Sequence, residues 1–159
     1  MDATQTTRGA LLPVCIDDGG RAASGRTQRA GDCVTRAIAI AAGLPYDIVH
    51  EALSRGAVTQ RKTRRSKSLK SADDGIYTTR AWFKQYMASL GFVWTPTMTI
   101  GSGCKVHLRA GEIPQRGRLV VSLSHHSCAV VDGVVHDLYD PSRDGTRCVY
   151  GFWTLLDRA

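Results

Sequence analysis

The residue best placed to act as a nucleophile is Cys33, in the segment GDCVTRAIAIAAG. A thiol attacks as its thiolate, and the N-terminus of a helix favours that negative charge. Apolar side chains at helical spacing predict a helix that begins here. They are Val34, Ala37, Ile38 and Ala41. Asp32 is expected to cap this helix and Gly43 to end it, so Cys33 falls at the first helical position.

A general base for this thiol is predicted in the segment SLSHHSCAVVDGVVHDLYD. The dipeptide at 132–133, Asp-Gly between two apolar runs, predicts a hairpin with a two-residue turn. Counting by twos from this turn places six side chains on one face of the hairpin. They are His126, Cys128, Val130, Val135, Asp137 and Tyr139. His126 is therefore the candidate base, and its diagonal neighbour Asp137 is the candidate acid that orients the ring.

A competing pair lies on the other face of the same hairpin. His125 shares that face with His136, Leu138 and Asp140. Asp140 thus remains an alternative orienting acid, and either histidine is equally compatible with an ordinary surface or core position.

The order of these parts resembles the papain-like cysteine peptidase superfamily. A helix-start cysteine is followed by helices, then by a strand that opens with histidine, then by an aspartate on the next strand. The resemblance rests on GDCVTRAIA, HSCAVVDG and VVHDLYDPS and covers about residues 28–153. It is closest in style to the compact bacterial and phage members, near the bacteriocin-leader-processing peptidases.

This resemblance implies a thiol hydrolase that cleaves a peptide or isopeptide bond of a peptide or protein substrate. Cys33 would attack the amide carbonyl, His126 would protonate the leaving amine, and Asp137 would hold the imidazole. The family also places an oxyanion-hole glutamine before the nucleophile, a role for which Gln28 is the candidate, slightly closer than the papain spacing. The hairpin after His126 is shorter than in papain, which leaves the choice between Asp137 and Asp140 open.

Two alternative functions remain open. An acyltransferase or deamidase would share the cysteine, histidine and aspartate and differ in what resolves the acyl-enzyme. The second is a non-enzymatic binding protein on a papain-like scaffold that uses its basic loop, since a fold does not guarantee an activity.

Five cysteines are present, at positions 15, 33, 104, 128 and 148. Because the number is odd and no CxxC pair occurs, neither a disulfide framework nor a zinc site is expected. No metal and no cofactor are predicted.

Length and composition predict one ordinary globular domain. The chain has 159 residues, of which 43% are hydrophobic and 22% charged. No apolar run approaches the roughly 20 residues that cross a bilayer, and the N-terminal MDATQTTRGA has no signal-peptide pattern. No membrane association and a cytoplasmic location are therefore expected.

Within the chain, residues 1–29 are predicted to form a flexible tail in which only Leu11 to Ile16 has strand character. Residues 30–159 would form the papain-like catalytic domain, with a basic loop at 56–72. The net charge is +7, and much of the excess lies in this loop. The part from Arg61 to Lys70 is the candidate contact for a polyanion, but a solvated loop is the favoured explanation because no aromatic residue interleaves the charges.

The periodicity predicts an α+β fold, in which N-terminal helices pack on a C-terminal antiparallel sheet. Two further helices are expected, one after Pro45 and one over Thr78 to Leu90. The expected strands are Phe92 to Trp94, Thr97 to Ile100, Arg118 to Ser124, Ser127 to Val131, Val134 to Leu138 and Cys148 to Phe152.

Overall fold

The computed structural model describes residues 9–26, 31–60, 71–73 and 75–157. In these residues the fold is α+β, as predicted, with three α-helices and one six-stranded sheet. The helices are α1 (Cys33–Ala42), α2 (Tyr46–Thr59) and α3 (Ala81–Ser89). The strands are β1 (Val14–Ile16), β2 (Phe92–Pro96), β3 (Arg118–Leu123), β4 (His126–Val131), β5 (Val134–Asp137) and β6 (Val149–Leu155). None of the described helices has the length and apolarity needed to cross a membrane.

The sheet is mixed rather than antiparallel, which corrects the prediction. Its strand order is β1-β5-β4-β3-β6-β2, and β1 runs parallel to β5 while the other neighbours are antiparallel. Residues Val14 to Ile16 pair with Val135 to Asp137. An uncovered edge strand exposes unpaired N–H and C=O groups, and β1 supplies partners for those of β5.

The prediction of a flexible tail is wrong for residues 9–26. Besides forming β1, this segment buries Leu12, which is 7% exposed. It also places Arg21 beside Asp32, where the Arg21 Nη1–H donates to Asp32 Oδ2 over 2.7 Å. Contacts of this kind join residues far apart in the chain, so local periodicity does not reveal them. The remaining residues of the predicted tail, 1–8 and 27–29, lie outside the described residues.

Helix α1 has the predicted bounds, but its predicted cap works differently. It begins at Cys33 and ends before Gly43, whose φ of 66° is the left-handed conformation of a helix stop. Asp32 occupies the N-cap position, yet its carboxylate makes no hydrogen bond to the helix N–H groups. That carboxylate instead accepts hydrogen bonds from side chains, including Arg36 one turn later in the helix.

The predicted loop at 56–72 is wrong at both ends. Helix α2 continues through Gly56 to Thr59, and a Cβ on Gly56 would lie 2.1 Å from a ring carbon of Trp82. Glycine is therefore needed for close packing here and does not mark a loop. At the other end Ala72 is buried and accepts a hydrogen bond from the Thr35 hydroxyl at 2.9 Å. Residues 61–70 lie outside the described residues, so their contact with a polyanion stays a prediction.

The strand predicted over Thr97 to Ile100 does not form. Thr97 instead bonds to strand β6, its hydroxyl donating to the Val149 carbonyl over 2.7 Å. A disulfide joins Cys104 to Cys148, with the two Cα atoms 5.8 Å apart. The expectation that the cysteines form no disulfide is therefore wrong for this pair, which is separated by 44 residues in sequence.

The core lies on both faces of the sheet. Buried residues of all three helices form one cluster with Val120, Ala129 and Trp153 on one face of the sheet. On the other face Leu119, Val121, Val130 and Val135 pack against Leu12, Leu108 and Ile113. A strand buried on both faces reads as a continuous apolar run, which explains the Leu-Val-Val run of β3.

Candidate active site

The hairpin of β4 and β5 brings the two predicted site residues to one end of the sheet. β4 begins at His126 and β5 ends at Asp137. In the ladder Val130 faces Val135, which is the predicted register. Because the strands are antiparallel, the start of one and the end of the other lie side by side.

His126 and Asp137 form a direct hydrogen bond. His126 Nε2 lies 2.5 Å from Asp137 Oδ2, and the two side chains are 8% and 2% exposed. A carboxylate only accepts hydrogen bonds, so Nε2 carries the proton in this pair. The ring of Tyr139 lies 5.5 Å from that of His126, centroid to centroid. Asp137 therefore fixes the orientation of the ring and leaves Nδ1 free to face another group.

Cys33 is the group that meets this ring. The His126 side chain and the backbone N–H of Ser127 both lie within interaction range of its thiol. The sequence gives no indication of the Ser127 contact, because it depends on how α1 lies across the start of β4. The structure thus brings together the three predicted residues Cys33, His126 and Asp137.

The electrostatics of this cluster favour a thiolate and an imidazolium. Burial alone would raise the pKa of Cys33, but the hydrogen bond and charge of His126, the Ser127 N–H and the charge of Arg36 together lower it. Burial alone would likewise lower the pKa of His126. Its bonds to Asp137 and Cys33 and their negative charges instead raise that pKa to about 9. Both shifts favour the thiolate–imidazolium pair that thiol nucleophiles use.

Asp137 is hydrogen-bonded to a network of further charged and polar side chains, which the sequence did not predict. Arg36 donates through Nη1 to Asp137 Oδ1 at 3.1 Å and through Nε to Asp32 Oδ1 at 2.9 Å. Asp32 Oδ2 also accepts from Arg21 and from the Tyr46 hydroxyl, each at 2.7 Å. The i, i+4 spacing of Asp32 and Arg36 is the one signal in the sequence that could have suggested part of this network.

The cluster opens into a cleft of about 990 Å³. Cys33, Arg36 and His126 line it. Its described lining also includes solvent-exposed apolar or aromatic side chains. They are Trp94, Ile100, Tyr139 and Tyr150. No aspartate or glutamate occurs in the described lining, whereas Lys84 does. The cleft thus suits a ligand with apolar groups. It offers no carboxylate in its described lining to pair with a cationic side chain of a ligand.

The alternative site residues are not assembled in this way. The Asp140 side chain accepts a hydrogen bond from the Ser142 N–H at 2.8 Å, in a local turn. His125 lies in the turn between β3 and β4 with a φ of 53°, and its side chain lines the cleft. The described contacts contain no pair between His125 and Asp140. Gln28, the candidate oxyanion residue, lies outside the described residues.

The other cysteines have different surroundings. Cys128 is fully buried in β4, and this burial raises its pKa. Cys15 is an exposed free thiol in β1. Cys104 and Cys148 form a disulfide and have no free thiol. Among the described residues, Cys33 is therefore the free thiol that has an acid–base partner.

Within the described ranges, no group of three or more histidine, cysteine, aspartate or glutamate side chains is placed to hold a metal ion. Comparison of the chain with protein-family models, with curated proteins and with solved structures found no significant match. The geometry of the site is therefore the feature that points to a function.

Proposed function

We propose that this protein is a papain-like thiol hydrolase that cleaves a peptide or isopeptide bond. The observation that carries the proposal is the unbroken series of contacts from Cys33 to His126 to Asp137 at the mouth of a cleft. A nucleophile, a base and a group that orients the base are the parts that acyl-transfer chemistry requires.

The reaction follows from the positions of these groups. The Cys33 thiolate attacks the amide carbonyl carbon, forming a C–S bond and an oxyanion. As the C–N bond breaks, His126 gives its proton to the leaving amine, and a thioester remains on Cys33. His126 then takes a proton from water, which attacks the thioester and releases the acid and the thiolate. Asp137 keeps the ring of His126 aligned through both steps.

The N-terminus of α1 supports an oxyanion site. Since the carboxylate of Asp32 does not cap the helix, it does not occupy the N–H groups of the first turn. The Cys33 N–H is one donor that the oxyanion could use, and the helix dipole favours negative charge there. Gln28 remains the candidate for a second donor.

The cleft lining supports a peptide substrate with a large apolar side chain near the scissile bond. Trp94 and Tyr150 offer partly exposed aromatic surface, 38% and 37% accessible. Burying such surface against an apolar side chain would contribute about 25 cal/mol per Å². Lys84 and the absence of a carboxylate in the described lining favour neutral or acidic substrates over basic ones.

Selective alkylation tests the nucleophile. At pH 7, iodoacetamide should modify Cys33 roughly tenfold faster than Cys15, although Cys15 is the exposed thiol. Peptide mapping by mass spectrometry measures both rates in one molecule. His126→Ala should abolish the advantage of Cys33, while His125→Ala, its neighbour in sequence, should preserve it. Faster labelling of Cys15 would mean that accessibility alone governs reactivity and would contradict the proposal.

A substrate-independent acylation assay tests the chemistry. With p-nitrophenyl acetate we expect a burst of one nitrophenolate per protein and an acetyl group on Cys33. Incubation with a complex peptide mixture then distinguishes the reactions: cleavage supports a hydrolase, glutamine-to-glutamate conversion a deamidase, and amine incorporation a transferase. Absence of both the burst and the acetyl adduct in folded protein would contradict an acyl-transfer function of any kind.

A further inference from the structure

Arg36 is a buried cation in the wall of the cleft. It lies on α1 one turn after Cys33, and 6% of its surface is exposed. Its guanidinium joins two carboxylates that are each 2% exposed, those of Asp32 and Asp137. Burying a charge is costly unless it is paired and hydrogen-bonded, so this arrangement needs all three groups together.

The contact with Asp137 fixes the carboxylate that orients the base. Asp137 Oδ2 bonds to His126, while Oδ1 accepts from Arg36 at 3.1 Å and from the Leu138 N–H at 2.7 Å. With both oxygens held, the carboxylate plane cannot rotate away from the ring. Removing Arg36 would leave Oδ1 with the backbone donor as its remaining described partner.

The contact with Asp32 keeps Arg36 in place. Asp32 Oδ1 accepts from Arg36 Nε, and Oδ2 accepts from Arg21 and Tyr46. Two carboxylates and two guanidinium groups sum to no net charge. A Cys33 thiolate and a His126 imidazolium can therefore form beside them without adding net charge to the buried cluster.

We propose that Arg36 is a positioning residue, anchored by Asp32, that holds Asp137 against His126 and so stabilises the charged pair of His126 and Cys33. The inference rests on the proposed function of Cys33 and His126 and extends it from three residues to five. Asp32, next to the nucleophile in sequence, then serves as the counter-ion of Arg36 rather than as a helix cap.

The test compares Arg36→Met with two other variants. Arg36→Lys keeps the charge but loses the planar fork that bonds two carboxylates. Arg109→Met is the matched control, because Arg109 is equally buried, 6% exposed, and donates to the Gly145 carbonyl at 2.7 Å. The readouts are the pH at half-maximal alkylation of Cys33 and the rate of the p-nitrophenyl acetate burst.

For Arg36→Met we expect the half-maximal pH of alkylation to rise by about one unit and the burst at pH 7 to slow at least roughly tenfold. Compared with Arg36→Met, the Arg36→Lys variant should have an alkylation profile close to that of wild type but a burst rate that stays low. Lysine supplies the charge but cannot bond to both carboxylates as the guanidinium does. Arg109→Met should lower thermal stability while leaving the pH profile unchanged. Equal profiles for wild type and Arg36→Met, or an equal shift in Arg109→Met, would overturn the proposal.

A spectroscopic readout separates this inference from the proposed function and serves if Arg36→Met does not fold. In ¹⁵N-histidine-labelled protein, the His126 Nε2 proton should be slow to exchange, because Asp137 holds it. Arg36→Lys should broaden or lose that signal, and an unchanged signal would contradict the positioning role. This signal does not depend on activity. If wild-type Cys33 proves unreactive, the hydrolase proposal is refuted. Loss of the signal in Arg36→Lys would still support the positioning role of Arg36.

Discussion

Cys33 and Cys128 are two thiols whose pKa values are shifted in opposite directions by the folded protein. Cys128 lies two residues after His126 in β4 and is fully buried, and burial raises its pKa. Cys33 lies at the start of α1 and is half-buried in the lining of the cleft, yet its pKa is lowered. Burial disfavours the thiolate at both positions, so the difference must come from the groups that surround each sulfur.

The position of each cysteine within its secondary-structure element determines which groups surround its sulfur. Cys128 is in the middle of a strand, paired with Val121, where backbone N–H groups are used by the ladder and neighbouring side chains are apolar. Cys33 is at a helix start, where it meets the His126 ring and the Ser127 N–H. Cys33 is therefore the candidate nucleophile because it lies at the N-terminus of a helix, and not because of its degree of burial.

The largest effect is expected from removing each thiol in turn. Cys33→Ala should abolish the p-nitrophenyl acetate burst and the acetyl adduct, because no other described thiol has an acid–base partner. Cys128→Ala should keep the burst and lower the free energy of unfolding by about 1–2 kcal/mol through a small cavity. Burst amplitude and urea denaturation measure the two outcomes. A burst that survives in Cys33→Ala would place the nucleophile elsewhere.

The next effect concerns the two aspartates of the hairpin. Asp137→Ala should slow acylation by about 100-fold, since His126 loses the group that orients it. Asp140→Ala should change the rate little, because its carboxylate bonds to the Ser142 N–H in a local turn. Circular dichroism must show that both variants fold, since Asp137→Ala also leaves Arg36 with one carboxylate fewer. The reverse ranking of the two rates would mean that Asp140 orients the base.

The pH dependence of activity should reflect the ionisation of both Cys33 and His126. The pKa of His126 is raised from its ordinary value of 6.5 to about 9. The stability that the imidazolium provides is therefore fully present below pH 6.5 and is lost as pH rises through about 9. The lowered pKa of Cys33 works in the other sense: the thiolate's contribution is present at high pH and is lost as pH falls through the lowered value. Amide cleavage should therefore follow a bell-shaped profile whose alkaline limb lies near pH 9.

Alkylation provides the control for this profile. It needs the thiolate but no proton donor, so alkylation of Cys33 should stay fast above pH 9, where amide cleavage declines. If both fell together on the alkaline side, unfolding rather than loss of the His126 proton would be the cause.

The smallest effect on Cys33 is expected from the disulfide. Replacing Cys104 and Cys148 by serine should lower stability by about 2–4 kcal/mol, because the bridge closes a long loop. Alkylation of Cys33 should change less than about threefold, since its charge partners lie on α1, β4 and β5. Thermal unfolding and alkylation rates measure the two effects, with Cys15→Ser as the control. A large loss of Cys33 reactivity would show that the loop after β2 shapes the site.

Much of the site could be predicted from the sequence because it depends on local rules. The turn at 132–133 has φ values of 47° and 79°, as a two-residue hairpin turn requires, and it sets the register that brings Asp137 to His126. Helical periodicity likewise placed Cys33 at the first residue of α1. Both predictions rest on spacing within one short segment, where the geometry of a strand or a helix leaves little freedom.

Other features were decided by the tertiary structure alone. Arg36 and Asp137 are 101 residues apart, β1 joins β5 across more than a hundred residues, and Cys104 meets Cys148 across 44. The role of Asp32 changed for the same reason, because arginine and tyrosine side chains from other turns of the chain outcompete the helix N–H groups for its carboxylate. Periodicity reports which face of an element is buried but not which distant group it meets. Partners of buried charges are set by the packing of α1 on the sheet, and only the folded chain specifies them.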